Sequence, residues 1–176
     1  MPGAEWPDAL AALGTATNDF ADRAAAVPPE RWREPRTDGK WSPAQETHHL
    51  VLTYEVLLRE LRGGRGMRLQ LQSWQRLLLR WLVKPRLLRS GRFPRGVRAP
   101  REIRPSERVP DQEPLVARLR RHAAEFAAVV DRTRQTAPGR HLTHPFFGSL
   151  SLEEAVRMCE VHVRHHEAKL PPPGGG

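Results

Sequence analysis

The chain has 176 residues, a formal net charge of +9, 39% hydrophobic residues and a single cysteine. That is enough for one domain with a core of its own, but no apolar run is long enough to span a membrane, and one cysteine excludes an internal disulfide. Residues 1–6 lack a basic stretch followed by an apolar one, so no signal peptide is expected, and the cytoplasm is the expected location.

The first element is predicted over residues 6–27. Trp6, Leu10, Leu13, Thr17, Phe20, Ala24 and Val27 step by four and three, which makes one apolar helix face. Asp8, after Pro7, is the expected cap, and Pro28-Pro29 closes the helix. Residues 28–42 read as a polar connector with an Asp38-Gly39 turn. Trp32 and Trp41 bracket it and are expected to anchor the loop on the protein body rather than to bind anything.

A second helix is predicted from Pro43 to about Arg62. Ser42 and Gln45 form a capping box, with proline at the first helical position, and Gly63-Gly64 stops it. Its main stripe is Thr47, Leu50, Val51, Tyr54, Leu57, Leu58 and Leu61; His49, Leu52 and Val56 make a narrower one. A helix apolar on two sides packs against two neighbours. His48 lies towards the polar side with Glu55, and periodicity alone does not decide which of the two histidines is functional.

The segment from Arg62 to Arg108 makes the protein basic. It holds 14 Arg and Lys against two acids, Glu102 and Glu107, for a net +12, whereas the rest of the chain nets −3. Such a patch could bind nucleic acid, an acidic membrane or an anionic substrate. A solvated arginine-rich loop is the preferred reading over nucleic acid, because aromatic residues are not interleaved and no binding motif is present. Residues 65–89 predict a short helix broken by Pro85. A basic amphipathic helix could lie on a membrane, but a lid packed over the protein body is preferred. Residues 90–112, with Pro94, Pro100, Pro105 and Pro110, predict a long irregular connection.

A further long helix is predicted over about 113–134, with Leu115, Leu119, His122, Phe126, Val130 and Thr133 on one stripe and His122 as a packing or rim histidine. Residues 135–150 read as a loop in which Phe146 and Phe147 plug one end of the protein body, with His141 and His144 weak site candidates. The last helix begins at Leu152, after the Ser151/Glu154 capping box, and ends before Pro171-Pro172-Pro173. Leu152, Val156, Cys159, Val163, His166 and Leu170 form its core stripe. His166 lies near the centre of that stripe and His162 at its edge, one turn apart, so both can point at a common atom. His165 is turned towards solvent. The H-x-x-x-H spacing suits a transition metal, although such pairs also arise by chance. Cys159 reads first as a small buried apolar residue and otherwise as a metal-proximal or redox-sensitive thiol.

Four long amphipathic helices joined by loops predict an all-α four-helix bundle, with an extra short helix and a long loop between the second and third. The expected organisation is one domain over 1–176, with a basic insertion at 62–112 and a disordered tail at 171–176.

The stretch Trp41-Ser42-Pro43-Ala44-Gln45-Glu46-Thr47-His48-His49-Leu50 resembles the second-helix signature of the DinB-like superfamily, which includes bacillithiol- and mycothiol-dependent transferases. In that pattern a W-S-P-x-[EQ] helix start leads to a histidine followed by leucine. Phe147-Gly148-Ser149-Leu150-Ser151-Leu152, followed by His162-Val163-Arg164-His165-His166, is similar to the last helix of the same family. The resemblance implies one divalent metal, zinc or nickel, held by His49, His162 and His166. Three nitrogens leave positions open for water or a low-molecular-weight thiol, as at a catalytic site. It also implies a homodimer. The long basic insertion has no counterpart in a known thiol-binding surface. The leading expectation is a metal-dependent thiol S-transferase or hydrolase acting on a small molecule, with arginines of the insertion holding an anionic group. The competing expectation is a non-catalytic binding or stress-response bundle with no metal or a structural one. Nucleic-acid association through the insertion is the least favoured reading.

Overall fold

In a computed structural model, which describes residues 5–37, 39–93 and 98–172, the chain is 64% helical with one small two-stranded sheet. Residues 1–4 of the expected non-signal N-terminus, Asp38 of the Asp-Gly turn, Pro94 of the irregular connection and residues 173–176 of the expected tail lie outside the described residues. Four long helices form the body: α1 (Trp6–Ala25), α2 (Pro43–Leu61), α5 (Gln112–Thr136) and α6 (Leu152–Glu167). Helix α1 packs on α5 and α6, and α2 packs on α5. This is the predicted all-α bundle.

The local signals explain where these helices start. Ser42 caps α2 and Ser151 caps α6, each with the reciprocal bond from its glutamine or glutamate three residues on. Helix α1 differs from expectation: Glu5 holds its N-cap position without a side-chain bond, and Asp8 sits inside the first turn. There it still faces the positive end of the helix dipole. Most of each predicted stripe is buried, with Leu13, Phe20, Leu50, Tyr54, Leu119, Phe126, Leu152 and Val156 in the core, while Trp6, Leu10, Leu52, Leu61 and Thr133 are half-buried at its edge. Tyr54 brings a hydroxyl into that core. Thr17 Oγ1 donates to the Leu13 carbonyl, so the Tyr54 hydroxyl, 3.2 Å away, donates to Thr17.

Two stretches depart from the sequence reading. Pro85 does not break the helix. Between α3 (Ser73–Leu78) and α4 (Lys84–Ser90) the chain makes a π-helical turn, Leu79–Val83, and stays helical throughout. The wider turn absorbs the missing N–H and the bulk of the proline ring. The predicted loop at 135–150 contains an antiparallel hairpin, β1 (His141–His144) and β2 (Gly148–Ser151), with Leu142 opposite Leu150. Gly148 has φ 75°, a conformation that disfavours a Cβ. Glu60 of α2 clamps this hairpin, its buried carboxylate accepting from the Thr143 backbone N–H at 3.0 Å and from Thr143 Oγ1 at 2.6 Å. The long connection 91–111 holds a single 3-10 turn among its described residues, Arg101–Ile103, packed on α2.

Candidate metal centre

Helices α2 and α6 bring His49, His162 and His166 together, with one nitrogen from each within 4.8 Å of the others. His162 Nε2 stands 3.1 Å from His49 Nε2 and 2.9 Å from His166 Nε2. His49 and His166 are buried, and His162 is half-buried. Burial drives all three towards the neutral imidazole, His49 to about 4.

The outward nitrogens are already committed. The Ile103 carbonyl lies 2.6 Å from His49 Nδ1. A carbonyl can only accept, so Nδ1 carries the proton and the inward Nε2 of neutral His49 is a bare lone pair. On the other side, His166 Nδ1 meets the carboxyl of Glu46, itself buried on α2. Burial lifts that carboxyl to about 7, against the lowering pull of Lys169. Once ionised, Glu46 accepts from His166 Nδ1–H, and His166 Nε2 is a second bare lone pair. His162 Nε2 then faces two acceptors and can give at most one proton. The triad therefore has an inward acceptor that no hydrogen in the cluster satisfies, which buried polar atoms rarely tolerate. A cation resolves this. With metal–imidazole bonds of about 2.0–2.1 Å, two nitrogens on one ion stand roughly 3 Å apart, close to the separations seen here. The three histidines could thus hold a metal ion, and the Glu46 and Ile103 contacts are of the kind that orients metal-ligating imidazoles.

The triad opens into a cavity of about 1240 Å³. Its walls are mostly apolar, with Leu57, Met67, Leu87, Phe93, Phe147 and Met158 among them, and the exposed cations Arg36, Lys40, Arg98 and Arg104 also line it. Trp41, expected to be a plain loop anchor, forms part of the site wall. Its ring lies 4.9 Å from His49 and is stacked 6.2 Å from His166.

His48 is half-buried, lies outside the cluster, and its Nδ1 has no hydrogen-bond partner among the described residues. His165 is not turned fully to solvent: it lines the cavity 5.2 Å from Phe93, and burial lowers it to about 4. His122 is the rim histidine expected, beside Glu55 and Arg118. His141 is exposed, while His144 lines the cavity, stacked on Phe147 and pushed by burial to about 3. Cys159 is buried against the cavity, where its thiol is pushed up to about 12, so it stays protonated and apolar. Sequence reasoning missed Glu46, Ile103 and Trp41. Glu46 alone carried a usable signal, because it precedes His49 by three and so shares its helix face.

A family model of the DinB superfamily matches residues 12–168. No curated protein and no solved structure matches the chain.

Proposed function

The chain belongs to the DinB superfamily, and from that premise we propose that it is a metal-dependent enzyme, with His49, His162 and His166 as the ligands of one divalent transition ion, zinc or nickel. In this reading residues 1–176 are one domain carrying the basic insertion at 62–112. The observation that carries the proposal is the convergence of three Nε2 atoms whose outward partners leave the inward lone pairs unsatisfied. When bound, such an ion supplies Lewis-acid chemistry, making a thiol or water nucleophilic near neutral pH.

The protein's own groups do the rest. Glu46 and the Ile103 carbonyl fix the two buried rings so that their Nε2 atoms face inward. The apolar walls limit water around the site, which strengthens electrostatic interactions there. Arg36, Lys40, Arg98 and Arg104 attract an anionic group on the substrate or thiol. Three protein ligands leave coordination open, which favours a reacting centre over a purely structural one. The reaction class is transfer to a low-molecular-weight thiol, or hydrolysis.

Cobalt(II) titration of tag-free, metal-stripped protein tests the first half. Saturable stoichiometric binding that is lost in His49→Ala supports the ligand set; a titration without binding contradicts it. Turnover of an electrophile by the metal-loaded protein, with and without an added thiol, separates transferase from hydrolase. Absence of turnover in both arms, at full metal occupancy, would instead favour a non-catalytic bundle with a structural metal.

A further inference from the structure

The helical run from α3 through α4 is apolar on two faces. Its inner face is accounted for: Leu79, Val83 and Leu87 line the cavity. Its outer face is not. Trp74, Leu77, Leu78, Trp81 and Leu82 stand between 51% and 71% exposed. A contiguous exposed apolar patch of this kind marks an interaction site. The run is held firmly in place, because Lys84 pairs with Glu154 at 2.5 Å and Arg157 Nε donates to the Leu88 carbonyl at 3.0 Å. These anchors to α6 fix which face points outward.

The charge around the patch identifies its partner. Arg76, Arg80, Arg86 and Arg89 lie on the same run, and none is ion-paired among the described residues. No acidic residue occurs between Glu60 and Glu102. Tryptophans beside leucines, flanked by arginines, match the boundary between headgroups and acyl chains, where indole rings settle and guanidinium groups meet lipid phosphates. A second copy of this chain fits poorly, since a two-fold contact through this patch would set the four arginines against their own counterparts. No helix among the described residues is long and apolar enough to cross a membrane, so the contact is with a surface. We propose that the outer face of α3–α4 docks the protein on an anionic lipid bilayer, with Trp74 and Trp81 entering the headgroup zone and the arginines on lipid phosphates.

Co-sedimentation of the full chain with vesicles tests this. One set contains phosphatidylglycerol mixed with phosphatidylcholine, and the other phosphatidylcholine alone. Binding is expected to the anionic vesicles and to weaken with salt. The double variant Trp74→Ser/Trp81→Ser should lower partitioning by about tenfold or more. Arg76→Gln/Arg80→Gln should lower anionic binding on the order of tenfold and reduce the preference over phosphatidylcholine. Trp74, Trp81 and Arg80 are exposed and Arg76 is half-buried, and circular dichroism checks that both variants fold. Failure to sediment with anionic vesicles overturns the proposal, as does undiminished binding by the folded tryptophan variant. Self-association abolished by that variant, without vesicle binding, would assign the patch to a second copy instead.

Discussion

Glu46 on α2 and His166 on α6 lie 120 positions apart in sequence, yet their side chains meet in the buried centre of the protein, carboxyl oxygen to Nδ1. This contact turns His166 Nε2 towards the two other imidazoles. In the proposed centre Glu46 is not a ligand but sets the direction and basicity of one. Glu46→Gln keeps the shape of the side chain and removes its charge. It should weaken metal affinity by about 10–100-fold while leaving the protein folded. Competition against a chromophoric chelator measures this, and affinity equal to wild type would remove Glu46 from the account.

The two adjacent histidines of α2 make opposite predictions. His49 converges with the α6 pair, whereas His48 lies outside that group. His49→Ala should lose stoichiometric metal and His48→Ala should keep it. Metal analysis of both proteins decides, and the reverse result would place the ligand register one residue away.

The clamp between Glu60 and Thr143 is a stability feature separate from the metal. Removing the buried carboxylate orphans the Thr143 N–H and hydroxyl. Glu60→Ala should therefore destabilise the protein by about 2–3 kcal/mol with metal content unchanged. Urea unfolding measures the first and elemental analysis the second. A loss below about 0.5 kcal/mol, the range of ordinary surface changes, would show the clamp is not needed.

Acid should weaken the metal-stripped fold. Burial depresses His144 from 6.5 to about 3, so between those values the unfolded chain binds a proton that the folded chain does not. The stability tied to this residue is therefore complete above about pH 6.5 and falls as pH drops towards 3, by about 1.4 kcal/mol per pH unit for one histidine. His49, depressed to about 4, acts in the same direction. In His144→Asn the slope of unfolding free energy against pH should fall by roughly one proton's worth. An unchanged slope in that variant would mean His144 is not buried neutral.

The parts of this architecture that were legible in the sequence are the locally encoded ones. Ser42/Gln45 and Ser151/Glu154 announce two helix starts because each cap closes within four residues. His162 and His166 announce themselves by helical spacing, and His49 came from resemblance rather than periodicity. What was illegible depends on distant partners. Helix spacing puts Glu46 on the face of His49 but does not show that His166 will meet it, and nothing local shows that a hairpin edge will meet Glu60. Ile103 contributes only its backbone carbonyl, which no side-chain pattern reveals. Pro85 looked like a breaker because the compensating π turn has no sequence signature of its own. The hairpin strands have four residues each, too short for alternation to stand out, although Gly148 after a three-residue link was an available hint.

The proposed metal centre is formed by His49, His162 and His166. Its most direct test is elemental analysis of tag-free protein purified without chelators, alongside His162→Ala and His166→Ala. About one divalent transition ion per chain is expected in the wild type, with loss of that stoichiometric ion in each folded variant. Full occupancy in both variants, or a folded wild type that neither carries such an ion nor takes one up on reconstitution, would contradict it.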